Sequence, residues 1–286
     1  MVKLNRDAIK YIVIVLMTLN HAAWAFLPRD MVLFYVFSDL GYATCVTMCF
    51  FLVEGLKYTG SLSSYRKRML VFALIAQLPF QLAIAGEVFR FQEFNVLFNL
   101  LLCQYLVSVL EAGDGRKPQA ERLLKIAGIV FLSLFCDWGP MAPLFTALFW
   151  RAGRNAAGEA SEAGKSGEAG ESAEAGAAGE RGRTRRQNLK AYAGAAAAFF
   201  LYEMLFPTDG LEFAFARWTE EGRFGGTFLQ LRILSAAFAA CGVLISMALV
   251  VFGYNGKRAA KGRAFNKYFF YVYYPLHLLI IGLIRA

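Results

Sequence analysis

The chain is organised around one apolar stretch near its N-terminus, Tyr11-Ile-Val-Ile-Val-Leu-Met-Thr-Leu-Asn-His-Ala-Ala-Trp-Ala-Phe-Leu27. The stretch carries no formal charge. As an α-helix rising about 1.5 Å per residue, it is long enough to cross most of the ~30 Å hydrocarbon core of a bilayer. It therefore predicts a membrane-spanning helix that places His21 inside the membrane.

A histidine at this depth needs a polar partner or a water-filled cavity, because an unsatisfied polar group in hydrocarbon costs on the order of several kcal/mol. Ionisable residues inside membranes usually mark functional sites, which makes His21 the first candidate. The structural alternative is a polar pair with the adjacent Asn20 that holds neighbouring helices together. The second histidine, His277, lies in the last apolar stretch just after Pro275, so both histidines are expected at membrane depth.

The composition indicates an all-α integral membrane helical bundle. Of the 286 residues, 58% are hydrophobic and only 18% are charged, which is too apolar for a soluble domain of this length. The net charge of +9 would suit a nucleic-acid-binding protein, but the basic residues fall between apolar segments, so we expect no nucleic-acid partner. The five cysteines lie in or beside apolar segments, and we expect neither disulfides nor a metal site.

The apolar pattern predicts about nine transmembrane helices. They cover approximately residues 11–27, 31–56, 69–85, 94–110, 123–136, 141–150, 190–206, 228–252 and 268–284. The first also resembles a cleaved secretory signal, but Thr18, Asn20 and His21 interrupt it, so we expect a retained helix. Residues 153–188 are rich in Gly, Ala and Glu, and are predicted to be a low-complexity cytoplasmic linker without a core. The linker divides a first membrane half, residues 1–152, from a second half, residues 189–286.

The distribution of basic residues predicts the orientation of the chain. If the N-terminus is cytoplasmic, 24 of the 30 Lys and Arg residues lie in or beside the cytoplasmic segments. Cytoplasmic loops of membrane proteins carry an excess of these residues. We therefore expect an N-in/C-out protein of the cell (cytoplasmic) membrane, with the loop 207–227 and the turn at Asp137 facing outward.

Several short motifs follow one another along the chain. They are Leu4-x-Arg-Asp-Ala-Ile-Lys10, Leu19-Asn-His21, Phe51-Leu-Val-Glu-Gly55, Pro79-Phe80, Asn95-Val-Leu-Phe98, Asp137-Trp-Gly139, Tyr254-Asn-Gly-Lys-Arg258 and Lys267-Tyr-Phe-Phe-Tyr-x-x-Tyr-Pro-Leu-His277. Together they resemble the TraX family, named for the inner-membrane protein that N-acetylates conjugative pilin. The sequence departs from the family pattern at Asn20, Gln77 and Gln81, where acidic residues are common.

The resemblance implies a membrane acyltransferase that takes an acyl group from acetyl-CoA or another acyl-CoA. The acceptor would be an amine or hydroxyl on an extracytoplasmic protein N-terminus, glycan or lipid-linked molecule. Because a neutral imidazole is suited to removing the acceptor's proton, we expect His21 or His277 to be the general base and the other to position or polarise it. Asn20 is expected to orient a ring nitrogen or to donate to the developing oxyanion.

Two carboxylates, Glu54 and Asp137, complete the catalytic candidates, although Glu54 also fits an interfacial anchor. Five basic residues are candidate contacts for the phosphates of coenzyme A, or determinants of topology alone: Arg66, Lys67, Arg68, Lys257 and Arg258. Two other function classes stay open, namely a transporter whose histidines line a pathway and a non-enzymatic scaffold for envelope assembly. An inverted repeat would favour transport, and the unequal halves show none.

The orientation can be tested with single cysteines at Ala175 and Gly210 in a cysteine-free background. The split of basic residues predicts that an impermeant thiol reagent added to intact cells labels the cysteine at 210 and spares the one at 175. Permeabilised cells provide the control, since both positions should then be labelled. Labelling of both positions from outside would show that the predicted set of spans is wrong.

Overall fold

The computed structural model describes residues 3–87, 92–112, 118–165, 173–206, 217, 220 and 227–286. Within these ranges the expected all-α fold is confirmed. The helices are α1 (Arg6–Phe26), α2 (Val32–Lys57), α3 (Leu62–Ala85), α4 (Val96–Glu111), α5 (Gln119–Ser133), α6 (Met141–Lys165), α7 (Ala173–Leu205), α8 (Phe228–Met247) and α9 (Arg263–Arg285). A π-helical turn, Ala248–Gly253, continues α8.

Five of the described helices are long and apolar enough to cross a membrane: α1, α2, α3, α8 with its π-helical turn, and α9. α4 is apolar but shorter. The chain is therefore a membrane protein. The number of spans, the N-in/C-out orientation and the division into two membrane halves stay predictions.

The helices begin where polar side chains satisfy backbone N–H groups that have no partner within the helix. The side chain of Asn5 accepts hydrogen bonds from the N–H groups of Asp7 and Ala8 at the start of α1. Asn95 caps α4 in the same way. Thr227 and Gln230 form a reciprocal capping box at the start of α8. These caps fix the points at which the connecting segments enter the bundle.

The central helix is α2, which packs against α1, α4, α6 and α8 and buries most of its apolar stretch. Its Thr47 is fully buried and hydrogen-bonds Ser246 of α8 at 2.7 Å. α9 packs on α3 and α1. The chain before α1 is joined to the end of the π-helical turn, because the N–H of Leu4 donates to the carbonyl of Gly253 at 2.8 Å. These contacts bring the first and last helices together.

The described parts of the predicted low-complexity linker are helical, although the composition offers little apolar surface to bury. α6 continues to Lys165 and α7 begins at Ala173, so the predicted spans 141–150 and 190–206 are the apolar ends of longer helices. Alanine, glutamate and arginine have high helix propensity, and this outweighs the interspersed glycines. Arg186 of α7 also forms an ion pair with Glu159 of α6 at 2.7 Å. That hydrogen-bonded arginine lowers the pKa of Glu159.

The close approach of α2 and α8 predicts opposite effects for two Gly→Ala substitutions. A Cβ at Gly242 would lie 2.5 Å from the carbonyl oxygen of Asp39, a backbone atom that cannot swing aside. Gly242→Ala should therefore destabilise the protein by about 1–3 kcal/mol through overpacking. Gly128 in α5 has no atom within 4 Å of such a Cβ, so Gly128→Ala should be neutral or stabilising by up to ~1 kcal/mol.

Thermal unfolding of the detergent-purified variants measures both effects. Gly242→Ala should lower Tm by several degrees and Gly128→Ala should not lower it. Equal melting temperatures for the two variants would contradict the packing of α2 against α8.

Candidate functional site

The two histidines meet between the first and last helices. Nδ1 of His21 lies 2.8 Å from Nε2 of His277, and the two rings stack with their centroids 5.1 Å apart. His21 is 7% exposed and His277 is 5% exposed. The structure therefore brings together the two residues that the sequence singled out first.

The hydrogen bonds determine which ring nitrogens carry protons. Nδ1 of His277 lies 2.9 Å from the backbone carbonyl of Tyr273. A carbonyl only accepts, so this nitrogen carries the proton in the neutral ring and Nε2 of His277 is left as an acceptor. Nδ1 of His21 must then donate to His277. The remaining nitrogen of His21, Nε2, keeps its lone pair and has no hydrogen-bond partner among the described residues.

A second polar contact holds the same two helices one turn away. The hydroxyl groups of Thr18 and Tyr273 lie 2.7 Å apart, and the ring of Tyr273 stacks on the ring of His277 at 5.1 Å. Thr18 also donates to the carbonyl of Ile14 within α1, as a helical threonine commonly does. The orientation of the His277 ring is thus set by a backbone carbonyl on one edge and an aromatic ring on its face.

His21 lines a cavity of about 460 Å³, which we call the histidine cavity. Its lining includes three carboxylate residues, Glu93, Asp137 and Glu203, together with Asn20. Aromatic side chains make up much of the rest of the wall: Trp24, Tyr42, Phe80, Trp138, Phe199, Tyr202, Phe270 and Tyr274. His277 is absent from the described lining, so of the two histidines His21 is the one that contacts the cavity.

Asp137 and Glu93 are brought together by backbone pairing. The N–H of Phe94 donates to the carbonyl of Phe135 at 2.9 Å, and the N–H of Asp137 donates to the carbonyl of Phe94 at 2.7 Å. Trp138, next to Asp137, has a φ of 71°, a left-handed conformation that is rare outside glycine and asparagine. The side-chain amide of Asn99 donates to the carbonyls of Asp137 and Gly139, which stabilises this turn.

Two glutamines of α3 hold the segment that carries Glu93. Gln77 and Gln81 both donate to the backbone carbonyl of Glu93, at 2.9 and 2.8 Å. The carbonyl oxygen of the Gln77 side chain accepts from the N–H of Asn95 at 3.0 Å. Gln77 and Gln81 therefore position the cavity wall. As neutral side chains they contribute no charge to it.

The two clustered carboxyl groups are harder to ionise than usual. Burial raises the pKa of Asp137 well above its ordinary value, and the charge of Glu93 raises it further. Burial also raises the pKa of Glu93. Sequence reasoning identified Asp137 but missed Glu93 and Glu203, because a lone glutamate in a connecting segment or at a helix end carries no motif.

Asn20 lines the histidine cavity, but its contacts correct one expected role. Its side-chain amide donates to the backbone carbonyl of Ser38 at 2.9 Å, and its Cβ packs against Gly41 of α2. The Nδ1 atoms of both histidines are occupied by His277 and Tyr273, so Asn20 does not orient the ring of His21. The two residues are about 100° apart on the helix, which turns their side chains toward different neighbours.

Glu54 lies at the other end of α2, outside the lining of the histidine cavity. It accepts a hydrogen bond from the hydroxyl of Tyr254 at 2.8 Å and lies 3.9 Å from Nε of Arg6. Burial raises the pKa of Tyr254, and the neighbouring Glu54 carboxylate adds to this. Glu54 therefore joins α2 to α1 and to the chain after α8, which fits the anchoring alternative better than a catalytic role.

A second cavity of about 640 Å³, which we call the basic cavity, lies toward the N-terminal end of α1. Four basic residues line it: Arg6, Lys10, Arg68 and Arg258. It shares four apolar lining residues with the histidine cavity, so the two cavities adjoin: Met48, Leu97, Leu100 and Phe270.

Of the five basic residues predicted to contact coenzyme A, only two line the basic cavity. Arg68 and Arg258 line the basic cavity, whereas Lys67 and Lys257 do not. Arg66 donates to the hydroxyl of Ser108 at 2.6 Å and stacks over the ring of Tyr105, so it is directed toward α4. Arg6 and Lys10 also line the basic cavity, although they were not predicted as phosphate contacts. Their spacing of four residues, which places both on one face of α1, was the available signal.

Comparison with known proteins assigns the chain to a family. The model of the TraX protein family matches residues 5–161, more than half of the chain. The chain belongs to the TraX family. The matched range includes His21, Glu93 and Asp137, whereas His277 lies outside it.

One curated relative is the "Probable fimbrial assembly protein FimC, serogroup H1" of Dichelobacter nodosus. It is 34% identical to this TraX protein over 146 residues, which cover 48% of this chain and 58% of the relative. The match thus spans less than two thirds of the relative's length. No solved structure matches the chain.

Proposed function

We propose that this TraX protein is a membrane acyltransferase that moves an acetyl or other acyl group from acyl-CoA to an amine or hydroxyl, with His21 as the general base. The observation that carries the proposal is the proton arrangement of the histidine pair. His277 is held by the Tyr273 carbonyl and accepts a hydrogen bond from His21. Of the two histidines, only His21 therefore has a ring nitrogen, Nε2, with a lone pair that accepts no hydrogen bond among the described residues. That residue lines a cavity large enough for reacting groups.

The transfer needs a single base in the histidine cavity. The acceptor gives its proton to Nε2 of His21 while its nitrogen or oxygen attacks the thioester carbonyl. The carbon–sulfur bond then breaks, and the proton on Nε2 passes to the departing thiolate of coenzyme A. During the step His21 is positively charged, and the lone pair on Nε2 of His277 stabilises that charge through the existing hydrogen bond. His277 is therefore the positioning partner.

The oxyanion that forms at the thioester carbonyl needs a hydrogen-bond donor. Tyr274 lines the histidine cavity, is 5% exposed, and has a hydroxyl without a hydrogen-bond partner among the described residues. A buried donor without a partner costs free energy, which binding of a developing negative charge would offset. We assign Tyr274 to this role. The amide of Asn20, already bonded to Ser38, is the weaker candidate.

Acyl-CoA is proposed to bind with its phosphates in the basic cavity and its thioester in the histidine cavity. Phosphates favour guanidinium and ammonium partners, and four such groups line the basic cavity. His21 lies eleven residues after Lys10 on α1, about 16 Å along the helix at ~1.5 Å per residue. The extended arm of coenzyme A fits such a separation, and the shared apolar lining gives it a path.

The relative's name supports an acceptor in fimbrial assembly. The relative is named as a fimbrial assembly protein, and fimbriae are built from pilin subunits. This name agrees with a pilin-like extracytoplasmic acceptor for this chain, which the resemblance of the sequence also implies. The same name also fits a scaffold without enzyme activity. Measurement of acyl-CoA turnover separates the two functions, since a scaffold releases no coenzyme A.

Substitution of the histidines should remove activity without additivity. His21→Ala should lower turnover of acyl-CoA by about 10²–10⁴-fold, the usual contribution of a general base. His277→Ala should lower it too, and the double variant should be little worse than His21→Ala, because the residues act as one unit. Coenzyme A release is measured in detergent or nanodiscs and normalised to the monodisperse fraction.

The control for these variants is Thr47→Val, which removes a buried interhelical hydroxyl outside the lining of both cavities. It should lower thermal stability and leave specific activity unchanged. Full specific activity in both histidine variants, or a parent protein that neither binds nor turns over acyl-CoA, would overturn the proposed function.

Substitution in the basic cavity should affect acyl-CoA binding more than the chemical step. Arg68→Gln and Arg258→Gln should each raise KM for acyl-CoA by roughly 10–100-fold with little change in kcat, since a hydrogen bond to a charged group contributes about 1.5–3 kcal/mol. Lys67→Gln, which removes an equal charge from an exposed neighbour, is the matched control and should leave KM unchanged. No change of KM in Arg68→Gln or Arg258→Gln would show that these residues determine topology alone, and equal effects of Arg68→Gln and Lys67→Gln would contradict phosphate binding in the basic cavity.

A further inference from the structure

We infer that Glu93 and Asp137 form the acceptor subsite of the histidine cavity, where they bind an ammonium group and take its first proton. This inference rests on the proposed acyl transfer. A subsite of this kind favours an amine acceptor over a hydroxyl acceptor, because carboxylates bind an ammonium group more strongly than a neutral hydroxyl.

The geometry places both carboxylates in the wall of the cavity that the general base lines. Glu93 precedes α4 and Asp137 lies between α5 and α6, and the backbone pairing of Phe94 with residues 135 and 137 sets them on neighbouring segments. Both line the cavity that His21 lines, and Glu203 lines it as well. Among its described lining residues there is no lysine or arginine. A cationic ligand therefore meets three carboxyl groups and no competing cationic side chain among the described lining residues.

The aromatic wall adds a second preference for a cation. Trp138 stacks on Phe199 at 5.6 Å and meets the ring of Tyr42 edge-on at 5.4 Å, and all three residues line the cavity. The faces of such rings attract ammonium groups, most strongly where water is excluded. Carboxylates and aromatic faces in one cavity are the combination that recognises an organic ammonium ion.

An independent observation points to a ligand at the same place. His21 is 93% buried, lines the cavity, and has on Nε2 a lone pair with no partner among the described residues. A neutral imidazole nitrogen cannot receive a hydrogen bond from an ionised carboxylate, so the carboxylates of the same cavity do not satisfy this lone pair. An N–H donor from a bound ligand satisfies both His21 and the carboxylates.

The proton balance explains why an amine needs the carboxylates. An ammonium nitrogen has no lone pair, so one proton must leave before it attacks the thioester. Transfer of this proton to the carboxylate pair gives a neutral amine and a carboxylic acid. The amine nitrogen then forms the amide bond as it gives a second proton to Nε2 of His21, the carbon–sulfur bond breaks, and that proton goes to the coenzyme A thiolate.

The environment of the pair suits this first transfer. Burial, with the neighbouring Glu93 charge, raises the pKa of Asp137, which makes its carboxylate a stronger base than an ordinary aspartate. Two interacting carboxyl groups release their protons in separate steps, and a bound ammonium stabilises the doubly ionised pair. A hydroxyl acceptor carries only the one proton that His21 removes, so it does not need Glu93 or Asp137.

The test compares phenethylamine with phenethyl alcohol, two probes that differ in the amine and hydroxyl groups. Calorimetry on the detergent-purified full chain should show that the parent binds the amine more tightly than the alcohol. Asp137→Asn and Glu93→Gln should each weaken amine binding by about tenfold or more, the loss expected for a charge-assisted hydrogen bond, and should leave alcohol binding within about twofold. Two variants are used so that a folding defect in one leaves the other informative.

The matched control is Glu87→Gln, which removes an exposed carboxylate from the same α3–α4 connection, outside the described cavity lining. It should leave amine binding unchanged. Equal binding of both probes by the parent, or an equal effect of Glu87→Gln and Asp137→Asn, overturns the subsite.

Turnover of acyl-CoA is measured on the same samples, so that the subsite and the proposed function can fail separately. Acyl transfer to the alcohol alone, unaffected by either substitution, overturns the subsite and keeps the acyltransferase. Preferential amine binding that Asp137→Asn weakens, in a parent without acyl-CoA turnover, keeps the ammonium site and overturns the acyl-transfer function.

Discussion

The structure depends on one constraint, that polar groups buried among apolar helices must be partnered. The pair of His21 and His277 satisfies it with a chain of hydrogen bonds that runs in one direction. The Tyr273 carbonyl accepts from His277, which accepts from His21, and the last nitrogen is left with its lone pair. A carbonyl at one end therefore determines which atom can act as a base at the other end.

Much of the fold was predictable from the sequence because apolar length alone identifies helices that can cross a membrane. The meeting of the two histidines follows from the same reasoning, since each needs a partner at membrane depth. The ends of α6 and α7 were not predictable in this way. Composition predicts that residues 153–188 have nothing to bury, but it does not show that two helices can extend side by side with Glu159 paired to Arg186.

The candidate site was predictable from the sequence only where burial of a single polar residue at membrane depth costs free energy unless the residue has a partner. Asn20 was expected beside the histidine ring because it is adjacent in sequence, yet adjacent residues on a helix point about 100° apart and its amide bonds to Ser38. Glu93 and Asp137 meet through backbone pairing of two connecting segments, and no spacing in the sequence reports such a contact. Sequence therefore reveals the costly groups, whereas the three-dimensional arrangement reveals which of them share a cavity.

The direction of α9 connects the site to the topology. Tyr11 hydrogen-bonds Asn266, Thr18 hydrogen-bonds Tyr273 and His21 hydrogen-bonds His277, so numbers rise together along both helices and α1 and α9 run parallel. Two parallel transmembrane helices must have an odd number of spans between them. The nine predicted spans meet this condition, since an odd number of spans lies between the first and the last.

The two cavities then lie toward opposite ends of α1, with basic residues near its N-terminal end and carboxylates in the cavity that His21 lines. In the N-in orientation that the positive-inside rule predicts, acyl-CoA would enter from the cytoplasm and the acceptor from outside. Coenzyme A carries several charges that would be costly to move through hydrocarbon, whereas a thioester arm is slender and largely uncharged. An enzyme with this arrangement moves only the acyl group across the membrane. Under the proposed function, Arg68 and Arg258 would serve both purposes that the sequence left open, since the predicted cytoplasmic side that retains arginine would also be the side that holds the acyl donor.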